Sequence, residues 1–145
     1  MLNSKQIGNI TGLECMLAFI KLGYNILTPY GDCERYDFVV DLNNKMMKIQ
    51  VKTSRPSRTG EGSIVFNTSS QSTKNGKKIH HSYDEKQIDY FMTFYNNQAY
   101  LIPVKECSAR EKTLRFVPPK NGQRKGITFA TDYELEKVVN KIINE

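Results

Sequence analysis

Three side chains in the middle of the chain, Asp37, Gln50 and Lys52, have the types and spacing to do chemistry together. They lie in two strand candidates, Arg35 to Leu42 and Lys45 to Ser54, which are rich in Val, Ile, Phe and Met. Asn43-Asn44 between them suits a two-residue hairpin, because Asn tolerates positive φ. Leu42 then faces Lys45, Asp37 faces Gln50 and Arg35 faces Lys52. Side chains alternate along a strand. So Asp37, Gln50 and Lys52 share one face with Lys48 and Asp41, while Phe38, Val40, Leu42, Met47, Ile49 and Val51 form an apolar face opposite. A carboxylate, an amide oxygen and an ammonium so grouped suit phosphodiester hydrolysis. A hard cation such as Mg²⁺ takes oxygen ligands and keeps positions open for phosphate and water. The oxygens on offer are Asp37, the Gln50 amide, the Val51 backbone carbonyl and, through water, Glu14 from a packed helix. The cation would polarise the phosphate and lower the pKa of bound water. Lys52 would orient that water or stabilise the developing negative charge. Taken singly, each residue reads as part of an ordinary polar face; the joint spacing makes the case.

The elements that must position this hairpin can be read from periodicity. Residues 4–22 read as a helix, with Ile10, Leu13, Leu17 and Ile20 recurring at helical spacing, Met16 widening the stripe and Gly23 ending it. This stripe is expected to face the core, which puts Glu14 at its edge. Tyr24 to Thr28 reads as a strand closed by Pro29, Ser63 to Asn67 as another, and Lys74 to Lys78 as a turn. Ile88 to Tyr95 and Gln98 to Val104 form a second hairpin around Asn96-Asn97, and Thr113 to Val117 is a weaker strand. Thr131-Asp132-Tyr133-Glu134 has the capping-box pattern, followed by Leu135, Val138, Val139, Ile142 and Ile143 at helical spacing. The expected fold is a single α+β or mixed α/β domain over residues 1–145. It has an N-terminal helix, a central mostly antiparallel or mixed sheet and a C-terminal helix.

Composition narrows the partner. The 145 residues carry 21 Lys+Arg against 15 Asp+Glu, a formal charge of +6. The excess is concentrated in two stretches. Between Asn43 and His81 eight Lys/Arg face one acid, and between Lys105 and Gly126 seven face two. Such a distribution reads as a docking surface for phosphates. The exposed aromatics among Gly and basic residues that mark an RNA binder are not evident. Cys15, Cys33 and Cys107 are odd in number and contain no CxxC pair, which argues against a zinc site or a disulfide framework and fits a reducing cytoplasm. The first residues lack the charged head and apolar run of a secretion signal, and no apolar stretch reaches membrane-spanning length.

The run Gly31-Asp32-Cys33-Glu34-Arg35-Tyr36-Asp37, followed by Lys48-Ile49-Gln50-Val51-Lys52-Thr53, resembles the PD-(D/E)XK nuclease superfamily. It is most similar to the small branch containing a cyanobacterial tRNA-intron (group I intron) homing endonuclease. There a helical Glu, a Gly-Tyr…Pro strand and a D…QxK site match Glu14, Gly23-Tyr24 with Pro29, Asp37, Gln50 and Lys52. Ile88 to Phe91 and Tyr100 to Val104 also look similar, so the resemblance spans roughly residues 6–104. It implies a restriction-endonuclease-like core, Mg²⁺-dependent (or Mn²⁺-dependent) cleavage of double-stranded DNA, a site-specific homing role and a homodimer or homotetramer. Glu14, Asp37, Gln50 and Lys52 would be catalytic, with Asp37, Gln50, Val51 and Glu14 around the metal. Gln50 departs from the superfamily's usual Asp or Glu, and an uncharged amide should hold metal less strongly. Candidate DNA contacts are Arg35, Lys48, Arg55, Arg58, Lys74, Lys77, Lys78, His80 and His81. A junction-resolving or restriction-type nuclease, and a non-catalytic DNA-binding module on the same fold, remain as rivals.

Overall fold

Asn43 and Asn44 adopt φ of 54° and 75°, the paired left-handed conformation that a tight hairpin turn requires. The computed structural model describes residues 1–58, 62–108 and 110–145; Thr59, Gly60 and Glu61, in the loop expected after the second strand of the hairpin, lie outside the described residues, as does Ala109. In chain order the elements are α1 (Ser4–Lys21), β1 (Asn25–Leu27), β2 (Phe38–Leu42), β3 (Lys45–Val51), β4 (Arg55–Pro56), β5 (Ser63–Asn67), β6 (Ser69–Lys74), β7 (Lys77–Ser82), β8 (Tyr90–Tyr95), β9 (Gln98–Pro103), β10 (Glu111–Arg115) and α2 (Leu135–Ile143). The central sheet runs β1-β2-β3-β8-β9. It is mixed, since β3 and β8 are parallel and the other neighbours antiparallel. A three-stranded sheet, β10-β5-β4, and a separate ribbon, β6-β7, complete the β structure.

The hairpin register is the expected one: Phe38 pairs with Ile49, Val40 with Met47 and Leu42 with Lys45. Alternation then sends Phe38, Val40, Leu42 and Ile49 to the same side as Met92, Ala99 and Leu101. There they are buried with Cys15 and Phe19 of α1 and Leu135, Val138, Val139 and Ile142 of α2. Both helices thus cover one face of the sheet. Phe91, Tyr100 and Ile102 point the other way, into a second cluster with Ile64, Phe66 and Leu114 of the small sheet.

Three expectations need correction. The α1 residues at the core are Thr11, Cys15 and Phe19, whereas Ile10, Leu13, Leu17 and Ile20 are exposed, Leu13 by 64%. Thr11, Cys15 and Phe19 form the buried stripe, and Phe19 meets Phe38 edge to face at 6.0 Å. The capping box at Thr131 does not form. Residues Ala130–Tyr133 make a 3-10 turn, and α2 begins after Glu134 with no side-chain cap. A reciprocal box does cap α1, where Asn3 and Gln6 exchange hydrogen bonds at 2.9 Å each. Finally, the basic turn at Asn75-Gly76 is the tip of a full hairpin, Ser69–Lys74 with Lys77–Ser82. Its strands carry polar residues on both sides, so no apolar alternation announces them.

Phe38 is fully buried at the centre of the helix-side core. Phe38→Ala should cost about 3–5 kcal/mol, measured by urea denaturation. A loss below about 1 kcal/mol would mean that the core packs differently.

Candidate active site

Asp37 sits one residue before β2, where the chain diverges from the ladder. Its own N–H still donates to the Ile49 carbonyl at 2.8 Å, but its carboxylate Oδ2 accepts the Val51 N–H at 2.7 Å. A side chain therefore stands where a strand neighbour would be. On the other side of β3 the Lys52 N–H donates to Met92 of β8 at 2.9 Å. Because N–H and C=O groups alternate sides along a strand, the Val51 carbonyl points toward Asp37. Asp37, Gln50 and Val51, with Thr53, line an open recess of about 620 Å³ whose far wall is Gly8, Asn9, Gly12, Leu13 and Met16 of α1. Gly8 and Gly12 leave open space where side chains would stand. Thr53 Oγ1 donates to Thr11 at 3.2 Å, and the Thr11 hydroxyl donates to the Ile7 carbonyl at 3.0 Å, tying helix to strand.

The Asp37 carboxyl is pushed above its ordinary value. Desolvation by the walls of the recess is the main cause, opposed by the Val51 N–H and the charge of Lys52. Lys52 is close enough to act on Asp37, but its ammonium hydrogen-bonds the Ser69 carbonyl at 3.1 Å and lies 5.1 Å from the Tyr83 ring centroid. Glu14 does not join the group. It lines a different recess with Phe94, Gln98, Ala99 and Leu135, because two positions of helix, about 200°, separate it from Gly12. Cys15 is buried, and burial together with the negative charges of Glu14 and Asp37 drives its thiol far upward, which disfavours the reactive thiolate.

A divalent cation fits this donor set. Asp37, the Gln50 amide and the Val51 carbonyl are hard oxygens in an open recess, and the desolvated Asp37 carboxylate is an anion that a cation would relieve. Among the described residues no group of three or more His, Cys, Asp or Glu could hold a metal. Asp37 is the carboxylate among the residues lining the recess, and Mg²⁺ sites with few carboxylates complete their shell with water and substrate phosphate.

The expected DNA contacts separate into two groups. Lys74, Lys77, Lys78 and His81 lie on the exposed β6-β7 ribbon, and His80 is half-buried there. The adjacent histidines have different partners, His80 meeting Ser69 and His81 meeting Ser72. The others are occupied within the fold or sit apart. Lys48 Nζ donates to the Lys86 carbonyl, Arg55 is ion-paired with Glu111, and Arg35 is committed to the root of the ribbon. Arg58 borders an aromatic recess with Tyr95, Tyr100 and Phe116, away from Asp37.

A family model described as PD-(D/E)XK endonuclease matches residues 2–136. Among solved structures, that of a bacterial homing endonuclease, I-Ssp6803I, superposes with a TM-score of 0.78 at 23% identity, covering 99% of this chain and 95% of that one. No curated relative matches. The solved structure shares the restriction-endonuclease-like arrangement of a mixed sheet with an N-terminal and a C-terminal helix.

Because its folded-state pKa is raised, ionised Asp37 works against folding at neutral pH, and that cost vanishes at low pH where the carboxyl is protonated in both states. Asp37→Asn keeps an acceptor for the Val51 N–H and removes the charge. The variant should melt at or above the wild-type temperature at pH 7, with the difference closing as pH falls through the carboxylate range. Calorimetry across pH checks this, and a lower melting point for the variant at pH 7 contradicts it.

Proposed function

This chain belongs to the PD-(D/E)XK endonuclease family, and from that premise we propose that it is a Mg²⁺-dependent endonuclease cutting double-stranded DNA at specific sites. The observation that carries the reading is the Asp37 carboxylate, pinned on the Val51 N–H at 2.7 Å beside Gln50 in an open recess. Asp37, the Gln50 amide oxygen and the Val51 carbonyl would hold Mg²⁺, with Mn²⁺ able to replace it. When bound, the metal supplies charge neutralisation of the phosphate and acidification of water. Lys52 brings a positive charge to the reacting phosphate or its attacking water, once its ammonium leaves the Ser69 carbonyl. Glu14 is left out of this site, since it faces another recess.

The β6-β7 ribbon serves as the DNA-reading arm. A two-stranded ribbon fits the major groove, and Lys74, Lys77 and Lys78 at its tip suit phosphates. The homing role is supported by the fold neighbour, a bacterial homing endonuclease. Site choice resides in the arm and the assembly rather than in the catalytic residues. A cytoplasmic setting agrees with three free cysteines; no described helix is long and apolar enough to cross a membrane. Gln50 favours one rival, a DNA-binding module that has lost strong metal binding, because it leaves the metal with a single carboxylate.

A single active site cuts one strand at a time, so cutting a duplex calls for a second copy. The stripe of Ile7, Ile10, Leu13, Leu17 and Ile20 along exposed α1 is the surface we assign to self-association. Ile10, Leu13, Leu17 and Ile20 follow the 3-4-3 spacing of a helix–helix seam, with Ile7 one turn before them.

Incubating supercoiled plasmid with the protein and Mg²⁺ or Mn²⁺ should nick or linearise it. Lys52→Ala and Asp37→Ala should each lower the rate by about 10²-fold or more while DNA binding persists. Equal rates in wild type and Asp37→Ala would end the enzyme reading. Light scattering should give a multiple of 16.7 kDa for the wild type and a monomer for the double substitution Ile10→Lys, Leu17→Lys. That monomer should still nick but no longer linearise, and an unchanged mass would remove α1 from the interface.

A further inference from the structure

The reading arm and the active site are joined through two cations. Arg35 comes two residues before Asp37 and Lys52 two after Gln50, and both cations approach the ring of Tyr83. Arg35 spans both strands at the root of the arm. Nη2 donates to Ser70 Oγ at 3.1 Å and to the His81 carbonyl at 3.4 Å, and Nη1 donates to the Ser82 carbonyl at 3.3 Å and to Gln87 Oε1 at 3.5 Å. Its guanidinium carbon lies 3.8 Å from the Tyr83 ring centroid, the same ring that Lys52 approaches. Tyr83 is itself seated edge-on against buried Phe91 at 5.3 Å. Lys52 holds the first residue of the arm, Ser69, by its carbonyl.

A guanidinium has five donors in one plane. With its fork spread over two strands and its face on a ring, Arg35 is built as a clasp rather than as a free phosphate contact. The arm beyond it is a two-stranded ribbon, a unit marginally stable at best by itself, so its placement depends on what holds its root. Any displacement of the arm on seating in a groove moves the Ser69 carbonyl, which anchors Lys52.

We infer that Arg35 is a positioning residue that transmits seating of the β6-β7 arm on DNA to the release of Lys52 toward the Asp37 recess. The inference rests on the nuclease reading above. Arg35 keeps the two root strands moving as one, so that force at the tip reaches Ser69. Cleavage is thereby made conditional on the arm being engaged.

The test uses Arg35→Gln and Ser70→Ala, the second removing only a hydroxyl. Three quantities are compared with wild type: single-turnover cleavage of supercoiled plasmid in Mg²⁺ at saturating protein, binding of the same plasmid without divalent metal over a salt series, and thermal melting. Arg35→Gln should lower the saturated cleavage rate by about tenfold or more. Its affinity should stay within about twofold and its salt slope unchanged. Ser70→Ala should show a smaller loss of rate in the same direction, with wild-type melting; this variant decides the matter if Arg35→Gln fails to fold. A salt slope shallower by about one would make Arg35 a phosphate contact and overturn the inference. So would wild-type cleavage rates in both variants, or a loss of rate that melting fully accounts for. A wild-type protein that cuts no plasmid in Mg²⁺ or Mn²⁺ would instead defeat the nuclease reading itself.

Discussion

Two asparagines at positive φ determine where every side chain of the central hairpin points. A two-residue turn at Asn43-Asn44 admits one register, and a slip of one residue would send Phe38, Val40 and Ile49 to the outer face and Asp37 and Gln50 into the core. The full burial of Phe38, Val40, Leu42 and Ile49 penalises that slip at four positions at once. Turn and core therefore enforce the same pairing. The recess exists because this pairing stops at Phe38, one residue beyond Asp37, so that a carboxylate rather than a strand takes the Val51 N–H.

That termination has an energetic consequence. A carboxylate at the end of a ladder serves as a backbone partner, and it is desolvated by the elements that hold it. The hydrogen bond from Val51 and the nearby charge of Lys52 offset part of the penalty without removing it. The opposite wall of α1 includes two glycines, whose lack of side chains keeps the recess open beside Asp37. The Thr11–Thr53 hydrogen bond fixes the helix at that distance.

The central hairpin was legible in the sequence because three independent signals agree there: strand alternation, an Asn-Asn turn and chemistry on one face. The core-facing side of α1 was not. Around that helix an exposed apolar stripe, Ile10, Leu13, Leu17 and Ile20, competes with a buried one, Thr11, Cys15 and Phe19, and periodicity counts favour the larger residues. The same error misplaced Glu14, which borders the stripe and so was expected beside Asp37. The spacing of Gly8 and Gly12, four apart and followed by Met16, was the available sign of the side that faces the site. The β6-β7 ribbon is not legible as strands because its mostly polar residues carry no apolar alternation, and only its Asn-Gly turn is visible in the sequence. The Lys52–Ser69 and Arg35–Ser82 contacts span 17 and 47 residues, and no local pattern encodes them.

Counting charge along the chain overstates the surface that DNA can meet, because the fold uses several of the cations itself. Lys45 donates to the Ile142 carbonyl at 2.5 Å and the Glu145 carbonyl at 2.9 Å, neutralising the negative end of α2. Lys112 donates to Glu106, and Lys137 to Thr131, each through a backbone carbonyl. Arg55, on the short edge strand, pairs with Glu111 across the small sheet, and Lys48 holds the 84–89 turn that leads into β8. These side chains already place donors on carbonyls and a carboxylate, so attraction to a polyanion there competes with partners inside the fold. The arm differs in kind. Lys74, Lys77 and Lys78 project from a ribbon tip exposed on all sides, so attraction to phosphate there competes with water rather than with the fold. The cations least engaged by the fold thus stand at the end of the ribbon whose root is held by Arg35 and Lys52.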